Sequence, residues 1–195
     1  MPRPRLPDHL DDGGGLVLRR LTVEDAGDVE AAVLASLESL RRWMPWAAQE
    51  PLTHQARRAM LAQRENEWRR GDDVMLGIFL DGTLAGCTGL HRRIAPDGLE
   101  IGYWLRPDHR HQGLATRAVR LLTAAALSHP GISHVEIHTD QANTASAAVA
   151  RRAGYTLVGS ARRARQAPAE SGVELVWRLG LAPRQQPAPD AAVPV

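Results

Sequence analysis

Apolar and polar positions along this chain change their period repeatedly, and each change marks an element. "GLVLRRLTV", starting at Gly15, reads as a strand. Thr22 then caps a helix in which Val29, Val33, Leu37 and Leu40 recur at helical spacing, until Pro45 breaks it. Thr53 caps a second helix, running to about Arg70 on a thin stripe of Ala56, Met60 and Trp68. "VMLGIFLDGTLAGCTGL" holds two apolar runs joined by Asp81-Gly82, a pair suited to the positive φ angles of a tight hairpin. A turn at Pro96-Asp97-Gly98 leads into "LEIGYWLRP". Strand alternation there puts Ile101, Tyr103 and Leu105 on one face, and Glu100, Gly102 and Trp104 on the other.

The second half alternates helix and strand. Leu114, Ala118, Leu121, Leu122 and Ala125 form a helical stripe stopped by Pro130-Gly131. "HVEIHT" is a strand, "NTASAAVARRAG" a short helix ending at Gly154, and "YTLVGSA" and "VELVWRL" are closing strands. This order predicts a mixed α/β domain, a central mixed sheet of about seven strands flanked by four helices. It spans residues 14–180. Residues 1–13 and the Pro/Ala-rich residues 181–195 lack an apolar period and are read as mobile tails.

Composition removes several chemistries. Of 195 residues 44% are hydrophobic, enough for one core. All 24 basic residues are arginine, so a Walker-type phosphate loop and a pyridoxal Schiff base both lack their lysine. A net charge of +2, with 22 acidic residues interspersed, gives no expectation of nucleic-acid binding. One cysteine, Cys87, excludes an intrachain disulfide and a Cys-rich zinc site; it reads as a packed thiol in a strand. No apolar run approaches a membrane span and no leader-like segment follows the first arginines, so the expectation is a cytoplasmic protein without a membrane partner.

The stretch "PDHRHQGLATRAV" turns from a strand directly into a helix. A helix start offers N–H groups without internal partners and a positive dipole end, so a glycine turn there can seat a pyrophosphate. The same turn reads equally as plain strand-to-helix geometry relieved by Gly113. Gly13-Gly14-Gly15 precedes a strand instead of following one, which removes a dinucleotide loop. His109 and His111 lack a third ligand in view, so no metal is expected.

Arg110-x-x-Gly113-x-Ala115, placed between strand and helix, resembles the acyl-CoA pyrophosphate motif of the GNAT superfamily of N-acetyltransferases. "LEIGYWLRPDHRHQGLATRAV", "NTASAAVARRAGY" and "SLRRWMPW" resemble segments of its ribosomal-protein N-terminal acetyltransferases, the Rim group. The resemblance covers about residues 14–180 and implies a GNAT fold with acetyl-CoA as acyl donor and no metal. It implies that the backbone at Leu105 and Arg106 holds pantetheine. The N–H groups of His111, Gln112, Gly113, Leu114, Ala115 and Thr116 would hold the pyrophosphate, with Arg110 a further cofactor-binding residue of the motif. It further implies that Asn143 bonds pantetheine and that Ser146 donates to the leaving sulfur; the residue pattern alone reads these two as a helix N-cap and an N3 serine.

Direct attack on a thioester needs a neutral amine, a stabilised oxyanion and a protonated leaving thiolate. Glu100, ten residues before Arg110, stands close to where other GNAT enzymes place a carboxylate base, and its neighbour Trp104 suggests a desolvated carboxyl of raised pKa. A surface strand-end glutamate is the plainer reading. Where the Rim pattern has a later glutamate this chain has Arg165, with Glu170 next available. Trp43, Trp46 and Tyr103 are candidates for the acceptor pocket. An α-amine of pKa near 8 is neutralised at pH 7 for about 1.4 kcal/mol and a lysine for about 4.6 kcal/mol, which favours a protein or peptide N-terminus. A small amine such as an antibiotic or polyamine is the alternative acceptor, and an inactive acyl-CoA-binding domain the alternative class. Monomer and homodimer both remain open.

Overall fold

The computed structural model describes residues 7–180. Within them one eight-stranded sheet runs in the order β1-β2-β3-β4-β5-β6-β8-β7. The strands are β1 (His9–Asp11), β2 (Leu16–Arg20), β3 (Val74–Leu80), β4 (Thr83–His91), β5 (Gly98–Leu105), β6 (His134–Asp140), β7 (Thr156–Arg162) and β8 (Val173–Gly180). The helices are α1 (Ala26–Trp43), α2 (His54–Arg69), α3 (Leu114–Ser128) and α4 (Thr144–Ala153). Neighbouring strands are antiparallel except β5 and β6, which are joined by the α3 crossover. The hairpin at Asp81-Gly82 has φ values of 49° and 82°, as its two residue types require.

Two corrections to the expected layout fall at the amino end. The sheet has eight strands, not about seven, because His9–Asp11 pairs with β2. Within the tail expected over residues 1–13 that stretch is therefore paired into the sheet, while residues 1–6 lie outside the described residues. Asp12 carries the attachment further, accepting from Arg117 Nε of α3 at 2.8 Å. The segment assigned as a carboxy-terminal tail, residues 181–195, lies outside the described residues.

Strand alternation divides the core between the two faces. Leu16, Leu18, Leu76, Ile78, Leu99 and Ile101 are buried beneath Leu114, Ala118, Leu122 and Ala126 of α3 and Ala147 and Ala150 of α4. Phe79, Leu84 and Cys87 pack on the other face with Val29, Val33 and Leu40 of α1 and Leu61 of α2. Each fully buried Leu or Ile contributes about 1.5–3 kcal/mol of burial energy, and these two layers hold β5 rigidly between them. That rigidity positions everything described next.

Candidate active site

β5 and β6 form a fork. They pair only from Gly98 to Glu100, opposite His134 to Glu136. Beyond that, β5 continues to Leu105 and β6 to Asp140 without pairing to each other. The Arg106 N–H donates to the Ala85 carbonyl at 2.8 Å, so even-numbered residues at this end of β5 turn their backbone groups to β4. The backbone groups of Tyr103 and Leu105 therefore point into the fork. On the other side the Gln141 N–H bonds the Val173 carbonyl, which leaves the His138 backbone facing the fork from β6.

This geometry corrects the role expected of Arg106. Its N–H is spent on Ala85 and its carbonyl accepts from the His109 N–H at 3.1 Å, so its backbone offers nothing to the fork. Leu105 keeps its N–H there, but its carbonyl accepts from Arg110 Nε at 3.2 Å and Nη2 at 3.0 Å. The Arg110 guanidinium also donates to Ser39 Oγ of α1 at 2.6 Å. Arg110 thus braces the strand end against α1 with its side chain.

The turn that follows delivers an open helix end. His111 has φ 61° and Gly113 has φ 76°, a left-handed pair that swings the chain into α3. Thr53 and Asn143 cap α2 and α4 with side-chain oxygens, whereas no side chain caps α3. The N–H groups of its first turn, from Leu114 to Thr116, have no partner within the helix, and His111, Gln112 and Gly113 beside them are exposed. A Cβ built at Gly113 meets nothing within 4 Å, so the space in front of these donors is free. Gln112 Nε2 holds the turn by donating to the Asp108 carbonyl at 3.1 Å.

Ser146, in the first turn of α4, reaches the α3/α4 face of the fork. Its Oγ lies 2.9 Å from the Tyr103 hydroxyl, which is 3.2 Å from the Ser146 carbonyl. Burial pushes the Tyr103 phenol up to about 12, against the hydrogen bond to Ser146, so Tyr103 stays protonated at neutral pH. Tyr103 consequently does not join the acceptor aromatics with which it was grouped: it faces α4, opposite Trp104 across the sheet. Trp104 lies on that opposite face, its ring centroid 6.4 Å from the partly exposed Trp46. Trp43 is half-buried at the end of α1. Asn143 Oδ1 accepts from the Ser146 N–H at 3.1 Å, the plain N-cap.

Glu100 is buried at the base of the fork, but its expected raised pKa is reversed. Burial alone would raise it; Arg93 donates to both carboxylate oxygens, at 2.7 and 2.5 Å, and holds the pKa below the usual carboxylate value. Glu170 turns back onto its own loop, accepting from the Gln166 N–H at 2.6 Å and the Ala167 N–H at 3.3 Å. Neither carboxylate is poised as a base. His138, in the strand read from "HVEIHT", stands two residues past the last β5–β6 pair on the Glu100 face. Alternation with Glu136 in "HVEIHT" was the available signal.

A fork of parallel strands above an uncapped, glycine-led helix matches what comparison with known proteins finds. Residues 15–156 match the acetyltransferase (GNAT) domain. The chain belongs to the GNAT acetyltransferase family. It is an acetyl-CoA-dependent N-acetyltransferase resembling those of ribosomal proteins. YdaF of Bacillus subtilis (strain 168), whose name assigns it provisionally to ribosomal N-acetylation, is 25% identical over 148 residues, covering 75% of this chain and 81% of YdaF. The fold is shared with RimL, a ribosomal L7/L12 α-N-protein acetyltransferase solved with coenzyme A. Its TM-score is 0.82 at 23% identity, over 89% of this chain and 98% of RimL. A Salmonella typhimurium enzyme that modifies the N-terminal serine of L7/L12 gives 0.78 at 21% identity, over 90% and 100%.

Among the described residues no group of three or more His, Cys, Asp or Glu could hold a metal ion, and no helix is long and apolar enough to cross a membrane. Cys87 is buried, and burial pushes its thiol up to about 12, which leaves it without thiolate character at neutral pH.

Proposed function

We propose that this GNAT enzyme acetylates the α-amine of a protein or peptide N-terminus. The observation that carries this reading is a strap on the acceptor face: the Ala169 N–H bonds the Arg42 carbonyl at 3.0 Å, tying the β7–β8 loop to the end of α1. Beside it lies a cavity of about 180 Å³ with Met44, Pro45, Ala48, Ala167 and Pro168 in its wall. A strapped approach suits a slender chain end, and a largely apolar recess suits a side chain next to the reacting amine. The names of RimL and the Salmonella enzyme point the same way.

Acetyl-CoA supplies the thioester. The first turn of α3 offers its donors to the pyrophosphate, with Gly113 leaving room for the close approach. The Tyr103 and Leu105 backbone offers the fork edge to the pantetheine amides, as an added strand would be received. Ser146 donates to the departing sulfur, and the Tyr103 hydroxyl, 2.9 Å from Ser146 Oγ and donating to the Ser146 carbonyl at 3.2 Å, holds that residue in place.

Thiol release from acetyl-CoA is the measurement, with hexapeptides beginning in Ser or Ala, the same peptides carrying a blocked N-terminus and a free lysine, and spermidine. The free α-amine should be favoured by roughly 10²-fold at pH 7, since it is neutralised for about 3 kcal/mol less than lysine. Preference for spermidine or the lysine ε-amine would overturn the acceptor class.

A further inference from the structure

The acceptor face of the fork holds a group that takes up one proton, and its surroundings define its purpose. His138 Nε2 lies 2.8 Å from Glu136 Oε2, and Nδ1 lies 2.9 Å from Glu174 Oε1. Ionised carboxylates only accept, so both contacts are satisfied only when the ring carries two protons. A neutral ring leaves one lone pair aimed at a carboxylate oxygen. The gap is built to be filled by a proton.

Each carboxylate around the ring is already matched by an arginine. Arg178 donates to Glu136 at 2.8 and 2.6 Å, Arg163 pairs with Glu174, and Arg93 pairs with Glu100. The two remaining ionisable neighbours are histidines: His134 lies 3.9 Å from Glu136, and His91 on β4 is bound to Asp73 at 2.7 Å. Carboxylate and guanidinium charges thus offset one another around His138. Burial disfavours its charged form, but Glu136, Glu100 and Glu174 outweigh that and hold its pKa above the ordinary histidine value.

Position links this centre to the chemistry. A thioester delivered through the fork reaches its base, where Glu100 and Glu136 form the last pair. Across the fork from His138, on the same face, stands Gly102, where a Cβ would meet only His91, at 3.5 Å. The opening between Glu100 and Trp104 is therefore free of side chain beside the imidazole, and 18% of the His138 side chain is exposed.

We propose that His138 is the catalytic base that takes the proton of the acceptor amine. This rests on the acetyl-transfer reading above and names the residue that reading lacks. The ammonium N–H bond breaks as its proton passes to the Glu174 carboxylate, whose Oε1 lies 2.9 Å from His138 Nδ1, and from there onto Nδ1. The freed nitrogen lone pair forms the bond to the thioester carbonyl carbon as the C–S bond breaks. The second nitrogen proton replaces the one that Ser146 gives to sulfur, and His138 later returns its proton to water. Amide, thiol and one released proton balance the ammonium and thioester consumed.

His138→Gln tests this with a Ser-leading hexapeptide as acceptor and acetyl-CoA saturating. The wild-type rate at low peptide concentration should rise with pH and level off above the His138 pKa, as the neutral ring becomes fully available. The variant should be slower by about tenfold near pH 7 and should keep rising to the amine's own pKa near 8, so that its deficit shrinks with pH. NMR titration of the His138 ring gives a second reading that needs no turnover: a pKa above 6.5, lowered in Glu174→Gln. A deficit equal at all pH values, an unchanged rate, or a ring titrating at or below 6.5 overturns the role in an otherwise active enzyme. A wild-type protein that binds acetyl-CoA but acetylates no free α-amine overturns the acceptor reading, and the role with it.

Discussion

Gly113→Val is expected to weaken acetyl-CoA binding by about 10²-fold in calorimetric titration. Two effects combine. Gly113 has φ 76°, a left-handed conformation that a β-branched residue resists by about 1–2 kcal/mol. Its missing side chain also leaves open the space in front of the uncapped α3 N–H groups, the proposed pyrophosphate seat, and losing that approach forfeits hydrogen bonds to charge of about 1.5–3 kcal/mol. Gly113→Asn separates the two, because Asn tolerates the left-handed region but still fills the space. The fold itself should accept Asn, since nothing lies within 4 Å of a Cβ there. Weak binding by Gly113→Asn at unchanged Tm would assign the loss to occupied phosphate volume, whereas normal binding by both variants would remove the turn from the cofactor site.

Ser146→Ala should lower kcat by about 10²-fold while leaving acetyl-CoA affinity within about twofold. A hydrogen bond to departing sulfur strengthens as charge develops, so its loss appears in turnover and not in ground-state binding. Tyr103→Phe should reproduce part of that loss, because the Tyr103 hydroxyl lies 2.9 Å from Ser146 Oγ and sets its direction. The double variant should then be no slower than Ser146→Ala alone, since the two hydroxyls act in series. Loss of affinity with kcat retained would instead make Ser146 a binding residue. An unaltered rate would reduce it to the third residue of a capped helix.

Local chemistry made most of the fold legible. Asp81-Gly82 dictated a tight hairpin, Thr53 and Asn143 cap the helices they were expected to cap, and alternation in "LEIGYWL" assigned each side chain of β5 to its correct face. His9–Asp11 was missed because a three-residue edge strand of mixed polarity has no period to read; it is a strand through pairing with β2. Tyr103 was misplaced by grouping it with other aromatic residues, against the alternation that had already separated it from Trp104.

The site was legible where it is made of backbone and opaque where it is made of partners. A glycine turn before a helix is local, so the uncapped start of α3 could be read directly. Glu100 needed Arg93, which approaches from the β4–β5 turn, and that pairing reverses the expected pKa. Glu170 was brought forward by counting along the chain, but its carboxylate closes its own loop. His138 acquires its character from Glu136, Glu174 and Glu100 on three adjacent strands, and only the sheet brings them together.

Direct transfer from acetyl-CoA to an α-amine is the centre of this account. The chain has no lysine, and its sole cysteine is buried with its thiol pushed up to about 12, so neither of these two nucleophiles is ready to carry the acetyl group. The decisive measurement is intact-mass spectrometry of the protein incubated with isotopically labelled acetyl-CoA, followed by addition of a Ser-leading hexapeptide. The expected result is a protein of unchanged mass before and after, with the label on the peptide α-amine and one thiol released for each peptide acetylated. A labelled side chain on the protein that discharges to the peptide, or thiol release with no label on the peptide, would contradict it.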